Sequence, residues 1–430
     1  MEKKNLLVMI LVIAIAASGV IGFLYARGSI KLPLASQTPS CPAPSLVYVY
    51  DNEQQKNAAD AVTSTFKTVL NNYGINIINM PVCSISSGSL PHKLRIYPAL
   101  LYKGDIPALS QYTVGSIGDY KILAPTISAT FAYYNKVNIT FGATAEALIV
   151  ESRAPYAKLN ISDKDLRDLL SQVAVANITK ITRVTQENAG VNVPYSPAIL
   201  FRSDYNLSQG VSYLVRLKDN IYTVSNQTQR SLAQYLGLTV YETRIPPDQL
   251  LDEGISYGAK NKITLYILED YHCPFCADLM NNLGNYLQSL VRQEQLRLVL
   301  VDLIVHPEVA SMHALTKCIY NITGNSEIYF NISRELYMKG TSTTLNDTQN
   351  LALKYIPQQV LSKALVCSNT SINTVQFNSQ ALQNLGYTGT PTLIFWNNEA
   401  RKGLVIEGCL QVHPCLTEEQ LSNILNWLRS

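Results

Sequence analysis

The chain is short of charge. Only 15% of its 430 residues are charged, the formal net charge is +3, and no long run of lysine or arginine occurs. A nucleic-acid surface needs a dense basic face, so no nucleic-acid partner is expected and the charge names no other. A hydrophobic content of 47% excludes general disorder and suits packed cores. The length allows two to four domains. No motif calls for a cofactor.

What is present begins at the N-terminus. Lys3 and Lys4 precede an uncharged stretch from Asn5 to Ala26, about 22 residues, long enough to cross a bilayer of roughly 30 Å at 1.5 Å per residue. The positive-inside bias keeps the short tail in the cytoplasm and sends the bulk of the chain outward. Residues 1–26 are therefore read as a single-pass membrane anchor; a cleaved signal peptide is the alternative, although Ala26-Arg27-Gly28 makes a poor cleavage site. Eight cysteines, an even number, fit an oxidising compartment. Nine Asn-x-Ser/Thr sites, at Asn138, Asn160, Asn177, Asn206, Asn226, Asn321, Asn331, Asn346 and Asn369, fit a glycoprotein of that compartment.

Residues 27–45 form a tether rich in proline and serine. Strand Leu46 to Tyr50, helix Asn57 to Asn72, strand Ile75 to Met80 and a strand broken by Pro98 over Leu94 to Tyr102 make a first α/β domain, 46–143. A similar order returns in 144–250: strand Ala147 to Glu151, helix Ser162 to Val173, strand Ile181 to Thr185, and Pro197 leading Ala198 to Phe201. A hairpin around Asp219-Asn220 and a helix over Gln227 to Leu236 follow. Pro246-Pro247 and the polar stretch to Lys262 read as a linker. The last domain, 259–430, opens with strand Ile263 to Leu268 and enters a helix at Pro274, a residue suited to the first helical position.

The chemistry-bearing segment is Glu269-Asp270-Tyr271-His272-Cys273-Pro274-Phe275-Cys276, a Cys-x-x-Cys where a strand ends and a helix begins. Backbone N–H groups and the positive end of the helix dipole stabilise a thiolate there and lower a cysteine pKa from about 8.5 to roughly 3.5–7.5. Cys273 is then the nucleophile on a disulfide, and Cys276, one turn on, resolves the mixed disulfide. Pro274 and Phe275 lie between the sulfurs and tune the couple. His272 either modulates the thiolate or is merely exposed; His306 and His313 read as structural or surface residues. Two other readings stay open: a static bridge, and half of a zinc site completed by Cys409, His413 and Cys415. No metal is the preferred reading.

The pattern Asp-Tyr-x-Cys-Pro-x-Cys, followed by His306-Pro307-Glu308, Cys318 and Gly389-Thr390-Pro391-Thr392, resembles the DsbA-like thioredoxin-fold oxidoreductases over roughly 259–430. The resemblance implies a thioredoxin-like α/β fold with a helical insertion over His306 to Ser371. It further implies a cis Pro391 beside the sulfurs and a Thr390 backbone that meets an extended substrate. The resemblance also implies a Cys318–Cys367 bridge across that insertion, a free buried pair being the other option; Cys409 and Cys415 flank a short loop that a bridge would close, and a Cys41–Cys83 bridge would staple the tether to the first domain. One position departs: many relatives carry a carboxylate six residues before the first cysteine, and here it is Ile267. Glu269, on the same strand face, is the candidate proton relay, with an exposed strand-end charge as the alternative. The two upstream domains resemble degenerate thioredoxin folds without Cys-x-x-Cys, an array similar in plan to protein disulfide isomerases.

The function expected is a membrane-anchored extracytoplasmic oxidoreductase forming or isomerising disulfides in exported proteins, with a DsbB-like or VKOR-like redox partner. An anchored binding or structural protein with a static disulfide is the competing class.

Overall fold

The structure, a computed structural model, describes residues 41–225, 232 and 236–430. The anchor expected at 1–26, nearly all of the tether, Asn226 and all but Leu232 and Leu236 of the helix expected over Gln227 to Leu236 lie outside these residues. Among the described residues no helix is long and apolar enough to cross a membrane. The chain forms two compact units. The first takes the chain up to Val150 with Ile161–Val184 and Ile199–Arg230; the second takes Glu151–Asn160, Thr185–Ala198 and Ser231–Ser430. The boundary expected near residue 143 thus falls inside the first unit.

The first unit holds two five-stranded sheets. In one, Ser45–Tyr50 pairs in parallel with Val82–Ser86 and antiparallel with Ala99–Lys103, which continues to Tyr120–Leu123 and Thr113–Ile117. Side-chain alternation along Ser45–Tyr50 sends Leu46 and Tyr48 to one buried cluster with Phe66 and Phe131, and Val47 and Val49 to another with Leu101 and Tyr120. The second of the parallel strands corrects the expectation of Ile75 to Met80. That segment turns, with Met80 N–H donating to Ile77 O, and the strand starts beyond Pro81, where Leu46 pairs with Val82. A proline has no N–H for a ladder, so pairing begins after it. The other sheet runs, in spatial order, Leu214–Lys218, Ile221–Val224, Ala198–Arg202, Thr144–Val150 and Asn177–Val184. Helix Asp163–Ala174, capped by Ser162, connects its parallel pair.

The second unit is built on a seven-stranded sheet in the order Tyr195–Ser196, Val240–Thr243, Lys402–Glu407, Thr392–Asn397, Ile263–Glu269, Arg297–Asp302 and Ile255–Tyr257. The stretch read as a linker therefore supplies one strand, Ile255–Tyr257, and Val240–Thr243, from within the expected second domain, joins the same sheet. Val240–Thr243 pairs with Lys402–Glu407, and Ile255–Tyr257 pairs with Arg297–Asp302; open sheet edges, which no local sequence pattern announces, recruited them. Helix Pro274–Arg292 packs its apolar stripe, including Leu279, Leu283 and Leu287, on the face formed by Leu265, Ile267, Leu298 and Phe395. Between Asp302 and Thr392 come helices Ala310–Thr323, Ser326–Lys339, Leu345–Ala352 and Gln358–Asn384. The helical insertion thus reaches beyond the expected Ser371. Thr417 and Gln420 close a capping box on the last helix, Glu418–Arg429.

The three sheets share a plan. In each, a strand, a helix and a parallel strand are followed by a proline and a third strand, stacked in the spatial order second, first, third; the neighbour beyond is the fourth strand, Lys402–Glu407, in the seven-stranded sheet and the later member of a hairpin, Tyr120–Leu123 or Ile221–Val224, in the five-stranded sheets. Tyr97–Pro98, Ser196–Pro197 and Thr390–Pro391 are cis, each directly before the third strand.

Candidate active site

The parallel strands Ile263–Glu269 and Arg297–Asp302 end side by side, and the helix carrying the thiols begins just past them. The turn between is held by Asp270, which is fully buried. One carboxylate oxygen accepts from His272 N–H at 2.8 Å and His306 Nδ1 at 3.0 Å; the other accepts from the N–H groups of Val305 and His306 at 2.8 and 2.9 Å. Tyr271 is also buried. Its ring stacks on His313 at 4.0 Å, and its hydroxyl meets Thr316 and Ser333.

Cys273 is the helix N-cap. Its sulfur accepts from Cys276 N–H at 3.4 Å, and Pro274 occupies the first helical turn, where a missing N–H costs nothing. The sulfur lies 3.2 Å from Thr390 O. These contacts set its acidity. The Cys276 thiol, opposed by burial and joined by Thr390 and the backbone N–H groups of Cys276 and Phe275, brings Cys273 down to about 6. Burial, reinforced by neighbouring Cys273, pushes Cys276 well above a free thiol. The pair is split in the sense an attacking and a resolving sulfur require. Both cysteines are free thiols.

The other expected residues fall around this pair. Pro391 is buried and opens the strand beside Cys273, while Pro274 and Phe275 are exposed. His272 spans two acceptors, Glu308 at 3.1 Å and Thr343 O at 2.8 Å, tying the turn to the helical insertion. Glu269 is no exposed strand-end charge. It is fully buried, accepts from the Tyr337 hydroxyl at 3.1 Å, and its Oε1 has no hydrogen-bond partner among the described residues. Burial, then nearby Asp302, drives its pKa well up.

The remaining cysteines form the bonds Cys41–Cys83, Cys318–Cys367 and Cys409–Cys415. Two of the sulfurs a zinc site would need are thereby engaged, and among the described residues no cluster of three or more His, Cys, Asp or Glu could hold a metal. The Cys409–Cys415 loop adjoins the site: Gly408 N–H donates to Pro391 O, and His413 and the Cys415 N–H bond Asp278 on the active-site helix.

Four supporting groups escaped the sequence reading as functional residues: Asp270, Asp302, His313 and Tyr337. Asp270 stood inside the quoted motif, where an acid three residues before a helix cap was the available signal. The others lie 26 to 61 residues beyond Cys276, and nothing local marks them.

Residues 252–405 match the thioredoxin family. No curated protein matches the chain. Among solved structures, the chain is similar to DsbA2 of Pseudomonas aeruginosa, with 20% identity, 43% of this chain and 96% of that one covered, and a TM-score of 0.32. DsbA of Chlamydia trachomatis shares 16% identity over 44% of this chain and 94% of its own, with a TM-score of 0.34. Oxidised BdbD of Bacillus subtilis shares 17% over 42% and 95%, also at 0.34. With its Cys-x-x-Cys at a helix cap and its four helices between strands two and three, the C-terminal region that matches the thioredoxin family is a thioredoxin-fold domain.

Proposed function

We propose that the protein is a membrane-anchored, extracytoplasmic thiol-disulfide oxidoreductase that forms or isomerises disulfides in exported proteins. The observation that carries the reading is the unequal pair at one helix cap, Cys273 near 6 and Cys276 far above it. A low-pKa thiol is a good leaving group, so a mixed disulfide between Cys273 and a substrate cysteine is readily broken by a second substrate thiolate. When the first substrate thiolate attacks Cys273 in the oxidised pair, Cys276 leaves as thiolate and takes up a proton, and Cys273 stays joined to the substrate. A second substrate thiolate then attacks its own sulfur in that mixed disulfide and releases Cys273. The substrate has lost two electrons and the pair has gained them. Glu269, buried and proton-bearing, is the group that exchanges a proton with Cys276. His272, Pro274 and Phe275 tune the couple, and Thr390 and Pro391 receive the substrate chain.

Reoxidation needs an external acceptor. A DsbB-like or VKOR-like membrane partner supplies it, and the hydrophobic stretch of residues 5–26 holds the domain nearby. Three disulfides support an oxidising location. Of the nine glycosylation motifs, Asn138, Asn160, Asn177, Asn206, Asn321, Asn346 and Asn369 are solvent-exposed, as glycan acceptors must be. The shared strand order supports reading the two upstream sheets as thioredoxin-like modules in which no Cys-x-x-Cys remains.

The test is the reduction potential of the Cys273/Cys276 couple, with insulin reduction and refolding of a reduced multi-disulfide substrate and Cys273→Ala as control. A potential above roughly −150 mV, and refolding lost in the variant, is the expected result. A couple that does not titrate, or activity that survives Cys273→Ala, overturns the proposal.

A further inference from the structure

We infer that the first upstream sheet carries a peptide-docking edge of the kind proposed beside the thiols, and that the chain fills this edge with its own segment Asn138–Phe141. The inference rests on the shared plan of the sheets.

In the catalytic region the two residues before the strand-opening proline are Gly389 and Thr390. Among the described residues no strand pairs with them. The corresponding residues of the first sheet are Ile96 and Tyr97, before Pro98. They pair antiparallel with Phe141 and Thr140. The N–H groups of Gly142 and Ala143 extend the contact to Arg95 O at 3.0 and 3.3 Å.

The thiol positions have been replaced by a clamp on this strand. Helix Glu53–Asn57 is capped by Asn52, whose side chain accepts from Gln55 N–H, the contact that Cys273 makes with Cys276 N–H. Asn52 and Gln55 thus stand at the cap and third helical positions that the cysteines hold. Gln55 is fully buried. Its Nε2 donates to Tyr97 O at 3.1 Å and, on the inserted segment, to Asn138 O at 3.0 Å and Thr140 Oγ1 at 3.2 Å. Its Oε1 accepts from Asp51 N–H at 2.8 Å.

A second observation points to the same fit. A Cβ on Gly142 would sit 2.0 Å from Leu94 O, so only glycine lets the segment lie this close. The arrangement also recurs before Pro197, where Tyr195 and Ser196 pair with Thr243 and Glu242 of a later segment. The ligand class of the edge is an extended peptide with a hydroxyl side chain facing Gln55. Because residues 138–141 supply it, this sheet takes no exported polypeptide, and substrate is left the edge at Gly389–Thr390.

The experiment uses the full chain in two readouts. Hydrogen exchange should show residues 138–143 at least about 100-fold slower than free peptide in the wild type, and at least about tenfold faster in Gln55→Leu, with residues 45–50 unchanged. A labelled peptide of residues 136–146 should bind Gly142→Val, where the segment is expelled, and not the wild type. Free exchange of 138–143 in the wild type, no change in Gln55→Leu, or equal peptide binding by wild type and Gly142→Val overturns the inference. So does a folded Gly142→Val that releases the segment yet captures no peptide. If Gly142→Val does not fold, the exchange comparison decides alone. None of these readouts involves Cys273, so they fail or succeed independently of the redox reading.

Discussion

Glu269 and Asp302 are register partners at the ends of two parallel strands, both buried. Two carboxylates so placed do not both ionise. Burial opposes charge on Asp302, but the His313 Nδ1 bond at 2.7 Å and nearby Lys317 outweigh it and hold its pKa down. The proton goes to Glu269. Its folded pKa lies above its unfolded one, so its contribution to stability is full below about 4.5 and is lost as pH rises through the folded value. Glu269→Gln should therefore melt higher than the wild type at alkaline pH and flatten the dependence of Tm on pH. Release of substrate by Cys276 should slow by about tenfold or more, read by quenched flow of the mixed disulfide.

Cys273 titrates in the other direction. Its pKa of about 6 lies below that of an unfolded thiol, so the reduced fold gains stability that is complete above about 9 and disappears as pH falls through 6. Iodoacetamide labelling of Cys273 should rise with a midpoint near 6. In Cys276→Ala, which removes the largest lowering contact, the midpoint should move upward.

Asp270→Ala strips the acceptor from three backbone N–H groups and the His306 ring. A loss of about 2–4 kcal/mol is expected in urea unfolding of the second unit, because buried donors are left unpaired. Asp270→Asn, which keeps part of the acceptor set, should recover some of it.

Arg95 in the first unit donates to four carbonyls, Ala174, Val175, Leu207 and Gln209, at 2.6–3.1 Å. Arg95→Met should lower the stability of that unit by about 2–4 kcal/mol, followed by hydrogen exchange, and leave insulin reduction unchanged.

Cys318–Cys367 spans 49 residues of the helical insertion. Loop-closure entropy for that length predicts a loss of about 4 kcal/mol in the double alanine variant, measured by thermal unfolding with the catalytic pair alkylated.

Which of these features could be read from the residues follows from how local their causes are. Cys273-Pro274-Phe275-Cys276 declares a helix start by itself, because capping and the proline's missing N–H act within one turn. Period two along the strand put Glu269 on the face of Ile267, and it lies there; its burial depended on Tyr337, 68 residues away. Ile75 to Met80 had strand-like composition, yet the ladder partner Leu46 selected Val82 instead. The stretch before Lys262 read as a linker because its strand Ile255–Tyr257 covers only three residues and gains its structure from the edge it meets.

The sequence by itself determined the exchange motif, the strand-to-helix placement of its thiols and the two upstream α/β regions, since each rests on contacts within a few residues. The tertiary structure alone decided the rest: the buried Glu269–Asp302 pair, the Asp270 anchor, the strand recruited at Val240–Thr243 and the clamp of Gln55 on Thr140. These depend on which distant segments meet, and on the burial that makes an unpaired charge or amide costly there. Local pattern carries neither.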